Sequence, residues 1–476
     1  MNLLYLLGLS ALSTAFSPVN NTNHIFNAIH SSMRQWGSSL NHNGMSFFLA
    51  SVPEGTTLYH GSSHPNTLIE TGYVAFDPEH ALVFARPPHH PKHPLHDDRV
   101  QQKIVTSKHG DPIEDQAGWL HTYQTTKELR LVYVDGMSAG KSHIGTLDSQ
   151  DRILFNDTIP SGGVSQETER AKAVCRISAD EWDNRIDGVI RMAAGFEIIL
   201  CAPEENLVAE RVTKSRIHKP KHHGDHKPQQ GKPGELLRVV TSRYNGIGGD
   251  RVKVNYDHFV SVYDSDLNVF PADSSHSTQP RLTHLSKASI QKIRQRLTDL
   301  VMDHDVHGKV NWQAIADMTV QQYGRRLQDL VSSPRFRTMK SLKAEIAQMW
   351  ETFVDLDYSS ADVEIQRCTN RFIPHAASKT SLAHNVTYTI NEQICSTLAT
   401  ALYDDHDHTV AIGRLQELMD YLSWTVWKEC RDCRDDEFCA IPIWPQGSLE
   451  DYEDPRCQRY NSAYAEKNDY WGPIFH

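Results

Sequence analysis

Three groups of residues have types and spacings that could do chemistry. The first is Cys430-x2-Cys433-x5-Cys439, with Cys457 beyond it. Four thiols at such spacing could hold a tetrahedral zinc ion. In an oxidising compartment they form two disulfides instead, and the pairing expected is Cys430 with Cys439 and Cys433 with Cys457. Cys175 with Cys201, and Cys368 with Cys395, would each staple one domain internally. The second group is histidine: His89, His90, His93 and His96 in one tract, His218, His222, His223 and His226 in another. Flexible tracts of this kind could bind divalent metals weakly, without a defined site; otherwise they are solvated, pH-sensitive loops. The His/Asp runs at 303–305 and 404–408 read as solvated turns at helix ends. The third group is glycine-rich. GMSAGKS at 136–142 follows a strand, but only three residues separate its glycines, and a phosphate loop needs four. It reads as a turn with a solvated Lys141. Gly246-x-Gly248-Gly249 reads as a tight turn. A serine-hydrolase elbow, a zinc-binding HExxH helix and a dinucleotide-binding fingerprint are absent from the sequence.

The sharpest segment is TLYHGSS at 57–63, followed by GYVAFDPEHA at 72–81. A strand ends in His60-Gly61-Ser62, and a second strand then feeds a helix. This resembles the NAD-binding core of ADP-ribosyltransferase-like folds, in the branch of diphtheria toxin and the poly(ADP-ribose) polymerases. The resemblance implies that His60 hydrogen-bonds the adenosine ribose of NAD and that Gly61 lets backbone approach the nicotinamide amide. Tyr73 would stack on the nicotinamide ring, with Phe76 the other candidate. Glu197, in GFEII, would orient the ribose hydroxyl and stabilise oxocarbenium character. Breaking the nicotinamide–ribose bond needs a clamped dinucleotide and a carboxylate near the developing positive charge. The implied activity is ADP-ribosyl transfer or NAD glycohydrolysis, with NAD as substrate. It requires His60 and Glu197 to lie in one sheet and face the same side. The rival reading is a non-catalytic secreted or cell-surface interaction protein that keeps the fold without the activity.

The elements that must position these residues follow from periodicity. Ile25, Phe26, Ile29, Met33, Trp36 and Leu40 recur at helical spacing, and Asn43-Gly44 stops the run. Short apolar runs, a Pro/His-rich insertion at 86–98 and three strands between 188 and 212 make 16–213 an α+β domain. Residues 214–234 are basic, His-rich and low in complexity, a linker or surface insertion. A short strand-rich segment covers 235–280. From 281 to 429 the period becomes helical, predicting an all-α domain of five or six helices. Residues 430–476 form a Cys/Trp-rich tail pinned by disulfides.

Composition and address complete the reading. In 476 residues the formal charge is -11, which excludes a generally basic nucleic-acid coat. Residues 1–15 are apolar and end in small residues, as in a cleaved secretory signal. Three N-x-S/T triplets, at Asn20, Asn156 and Asn385, could carry glycans in an exported protein. The even cysteine count suits disulfides, and no run approaches the roughly 18 residues of a membrane span. The expected location is extracellular. The whole chain also resembles a group of secreted, uncharacterised proteins of filamentous fungi. Those share stretches like SSLNHNGMSFFLASVPEGTTLYHG, LVYVDGMSAGKSHIGTLDSQDRILFND and LSWTVWKECRDCRDDEFC.

Overall fold

The computed structural model describes residues 19–68, 71–86, 117–159, 166–217, 240–241, 246–271, 279–358, 360–404, 406–459 and 470–471. The leader at 1–15 and the histidines of both tracts lie outside these residues. Where the periodicity predicts one helix, two form: α1 (Thr22–Ser31) and α2 (Gln35–Leu40). Ser32 breaks the run. Its hydroxyl bonds back to the Ile29 carbonyl at 2.9 Å, a local bond that competes with the helix, and Met33 follows with φ 54°. Gly37 then sits so close to Ser31 that a Cβ could not be accommodated. The pair of helices is clamped to the far end of the chain. Asn27 Nδ2 donates to the Leu422 carbonyl at 3.0 Å, and the Trp36 indole donates to the Thr425 carbonyl at 3.0 Å.

The centre of the molecule is a nine-stranded mixed sheet with order β8-β4-β2-β3-β7-β6-β5-β1-β9. Its strands are β1 (Ser46–Val52), β2 (Thr57–Ser62), β3 (Gly72–Ala75), β4 (Ala117–Thr125), β5 (Leu129–Val134), β6 (Gly188–Met192), β7 (Phe196–Leu200), β8 (Leu207–Ile217) and β9 (Lys253–Ser261). All pairs are antiparallel except β5 with β6. β1, β6 and β7 are buried along their whole length, and their sequences read as apolar runs because both sheet faces are covered. Short helix α3 (Pro78–Leu82) follows β3, α4 (Glu167–Glu181) lies between β5 and β6, and α5 (Pro203–Asn206) precedes β8.

Two boundaries differ from those read in the sequence. β8 runs to Ile217, into the stretch expected to be a linker. β9 comes from the segment expected to stand apart, yet it pairs with β1, with Phe259 opposite Phe48. Those rings stack at 4.8 Å. Alternating apolar residues on β9 supply a face that β1 needs at its open edge.

The C-terminal part is helical, as expected: α6 (Lys287–Asp303), α7 (Trp312–Ser332), α8 (Met339–Trp350), α9 (Ala361–Thr369), α10 (Leu382–Tyr403) and α11 (His408–Leu422). Five of the six start at side-chain caps, Ser286, Asn311, Thr338, Ser381 and Asp407, and α9 starts without one. A small helix, α12 (Leu449–Glu453), and a two-stranded ribbon of β10 (Glu437–Cys439) and β11 (Cys457–Arg459) form the tail. One apolar core is continuous from Ile25 to Trp471. Among the described residues no helix is long and apolar enough to cross a membrane.

All four expected disulfides are present: Cys175–Cys201, Cys368–Cys395, Cys430–Cys439 and Cys433–Cys457. No cysteine is free. The sulfurs of Cys430, Cys433 and Cys457 lie within 4.8 Å of one another, a geometry open to a metal only after reduction. Alkylation of the denatured, unreduced protein is therefore expected to label none of the eight cysteines. Stoichiometric labelling, or zinc released on denaturation, would reverse the assignment.

Candidate functional site

Register decides which side chains meet. Tyr59 pairs with Ala75, and Ala75 pairs with Glu197; Glu197 in turn pairs with Arg191 across the β6–β7 hairpin. Side chains alternate along a strand, so Tyr73, Glu197 and Arg191 share one face and His60 belongs to the other. α3 confirms the assignment. Gly61 sits against the backbone at Ala81 and Ala85, with no room for a Cβ, and His80 of the same helix reaches Glu197. β2 and β7 do lie in one sheet, with β3 between them. The expected same-side convergence of His60 and Glu197 does not occur, because the two residues are out of step by one position.

His60 is buried; its Nδ1 donates to the Tyr73 carbonyl oxygen at 2.7 Å, and its ring lies 5.7 Å from that of His121. Burial lowers its pKa to about 4. Gly61 serves close helix packing, which accounts for the glycine of the His-Gly-Ser segment without a ligand. Phe76 is fully buried with the Arg251 guanidinium 5.9 Å from its ring. Tyr73 is buried, and its hydroxyl donates to the Glu167 carbonyl at 2.6 Å.

The side chains around Glu197 form a largely buried polar cluster. The fully buried Arg191 donates through Nε to Glu197 at 2.9 Å, through Nη1 to Gln150 at 3.0 Å, and through Nη2 to Glu167. Its guanidinium also lies 5.4 Å from the Tyr73 ring centre, a favourable cation–aromatic arrangement. Glu167 stands in the first turn of α4, where the helix dipole favours a carboxylate. It also pairs with Arg170 at 3.2 Å and Lys141 at 3.7 Å. Arg170 makes a two-pronged contact with Asp151 at 2.9 and 2.7 Å. His80 Nε2 lies 3.4 Å from Glu197. Contrary to the solvated lysine expected in GMSAGKS, Lys141 is buried, with its ammonium 4.8 Å from the Trp444 ring. The turn folds inward because the Ala139 amide bonds the Met192 carbonyl at 2.7 Å.

Three cations (Lys141, Arg170, Arg191) thus face three carboxylates (Asp151, Glu167, Glu197). Burial pushes the Glu167 carboxyl up, but Arg191, Lys141 and Arg170 outweigh it and hold it at about 2. The same competition, chiefly burial against Arg191, leaves Glu197 below its ordinary value. Burial lowers the Lys141 pKa, with Glu167 opposing. Glu197 is therefore ionised but already neutralised, with little field left over for a developing oxocarbenium charge. The signal for this cluster was present in the sequence: an arginine inside the apolar strand GVIRM must find a buried partner.

Residues 17–99 and 89–222 match the family model described as YPL277C N-terminal domain, a region that contains every member of the charged cluster. The chain is 30% identical over 201 residues to Uncharacterized protein YOR389W of Saccharomyces cerevisiae, covering 38% of this chain and 31% of that one. It is likewise 30% identical over 202 residues to Uncharacterized protein YPL277C of the same yeast, covering 38% of this chain and 40% of the relative. The matched stretch thus spans well under half of either relative. No solved structure matches the chain.

Proposed function

We propose that the protein is an exported, glycosylated, non-catalytic interaction protein of fungal type, acting outside the cell, and that its His-Gly-Ser segment is a coincidental match that does not equip it to cleave NAD. The observation that carries this reading is the pairing of Glu197 with Arg191, on the face opposite His60. A transferase acid must reach the reacting ribose; this one is committed to an internal cation. The export part is supported by the leader-like residues 1–15, by the exposed sequon residue Asn20 and by eight cysteines that all form disulfides. Yeast relatives of the N-terminal half are consistent with a fungal lineage.

One preparation tests both parts. The full chain is secreted from a yeast host, its N-terminus sequenced, and its mass compared before and after endoglycosidase treatment. The medium protein is expected to begin near Phe16, to lose mass with the glycans, and to release nicotinamide from NAD at the buffer rate. Nicotinamide release that disappears in Glu197→Gln would restore the enzymatic reading. An intact Met1 on the secreted protein would overturn the leader.

A further inference from the structure

A second constellation lies far from the sheet cluster, in a cleft of about 620 Å³. Its walls are β9, the C-terminal turn of α6, the loop that follows, and the start of α10. Across it His258 and His304 stack face to face, with ring centres 3.9 Å apart and planes 13° from parallel. Arg296, His307 and Lys309 also line it, as do the hydroxyl-bearing Ser378, Thr380 and Ser381. Helix α10 is 22 residues long, and its positive end opens on the same space. His304 occupies the C-cap of α6.

The carboxylates of the cleft are largely occupied. Asp257 accepts from the Lys309 and Val310 amides, the latter at 3.2 Å, and from the Trp312 indole at 3.0 Å. Asp299 accepts from Gln295 at 2.8 Å. Arg296 is tied to Asp264 at 2.9 Å, and His307 lies 3.2 Å from Glu128. That leaves Lys309, which has no carboxylate partner among the described residues, and the two stacked imidazoles. At neutral pH the lining charges nearly cancel. Two stacked rings resist double protonation unless an anion sits beside them, so each proton taken up here asks for a negative ligand.

We infer that this cleft binds a phosphate- or sulfate-ester ligand of about mono- to disaccharide size, with Lys309, His258 and His304 contacting the oxyanion and the two histidines making binding acid-dependent. Partial burial and the neighbouring His304 lower the His258 pKa, Asp257 opposes, and Lys309 lowers it further. The groups facing it are thus His304, Arg296 and Asp299 from α6 and its end, His307 and Lys309 from the loop, and Asp257 from its own strand. The segment leading into α10 contributes the hydroxyls of Ser378, Thr380 and Ser381. A bound oxyanion raises the pKa of both imidazoles, so by linkage its affinity rises as pH falls through the histidine range. The inference does not depend on whether the sheet cleaves NAD.

The test is calorimetric titration of the full-length secreted protein with glucose 6-phosphate and, in parallel, glucose 6-sulfate, at pH 5.5 and pH 7.5. With glucose 6-sulfate, whose charge is fixed in this range, binding is expected to be up to about tenfold tighter at the lower pH, since one coupled protonation whose pKa rises by one unit is worth about tenfold at most; the phosphate ester is protonated near pH ~6 itself and shows a smaller gain. The phosphate and sulfate arms decide which ester is preferred. The double variant His258→Gln, His304→Gln is expected to remove most of the pH dependence, and Lys309→Gln to weaken binding about tenfold at both pH values. All three side chains border open solvent, and unchanged thermal melting establishes that the variants fold. Absence of binding by either ester at pH 5.5, or binding that the double histidine variant leaves unchanged, would overturn the proposal.

Discussion

Arg191→Leu is expected to unfold about 3–5 kcal/mol more easily than the parent protein, because it takes the guanidinium from buried Glu197, left with His80 alone, and from Glu167, left with Arg170 and Lys141. Glu167 and Glu197 have side chains only 2% and 4% exposed, against 0% for Arg191, so water cannot take over the guanidinium's role. Urea denaturation followed by tryptophan fluorescence reads the change. The informative contrast is the triple variant Arg191→Leu, Glu167→Gln, Glu197→Gln. With Arg191 and the two carboxylates it binds removed together, it is expected to recover part of the loss: the unpaired carboxylates are gone, while Lys141 loses its Glu167 partner and Arg170 keeps Asp151. A single variant within about 1 kcal/mol of the parent would show that the cluster is hydrated, and the argument against a catalytic Glu197 would weaken with it.

Stability is expected to fall steeply as pH drops from 6.5 to 4. Burial holds His24, His30 and His60 at about 4, against an ordinary 6.5. Between those values the unfolded chain takes up protons that the native state refuses, so stability rises with pH across the window and is flat for these groups outside it. One fully realised shift of this size corresponds to about 3 kcal/mol. Asp135 works the other way. Burial raises its carboxyl to about 7, so from pH 7 down to 3.8 the native state holds a proton the unfolded chain lacks, and this offsets roughly one histidine. Glu167 adds a later loss, below pH 4.5 and down to about 2, as its ion pairs are protonated. Thermal melts at pH 7.5, 6.5, 5.5 and 4.5 should show a falling midpoint below 6.5. A flat or rising midpoint would mean that these histidines are reached by solvent.

Much of the architecture was legible because it follows from period and capping. Ile290, Ile293, Leu297 and Leu300 mark one face of α6, and polar caps fix where five of the six bundle helices begin. The cysteine pairing was legible because each partner lies near in sequence, 9 to 27 residues away. What failed depends on register, which sequence specifies weakly when a strand is buried on both sides. LYHG and GFEII each read as good strands, and they do share a sheet. Whether His60 and Glu197 face each other turns on a one-residue step at Tyr59–Ala75 that no local pattern encodes. The inward turn of Lys141 depends on Trp444, about three hundred positions away, and is equally invisible to a window of neighbouring residues. α9 escaped because it lacks a sustained apolar stripe and is tied down through Cys368.

The clamp on α1 and α2 bears on how the chain is made. Ribosomes deliver the N-terminus first, yet Asn23, Asn27 and Trp36 bond to carbonyls of Tyr421, Leu422 and Thr425. α1 therefore waits for residues 395 positions further on before its partners exist. Until then Ile25, Phe26 and Ile29, all fully buried at the end, present a bare apolar stripe. Contacts of such long sequence separation close slowly, and exposed apolar surface during that interval is where aggregation begins. α1 is thus made long before the residues that hold it, and it is expected to reach its native place late.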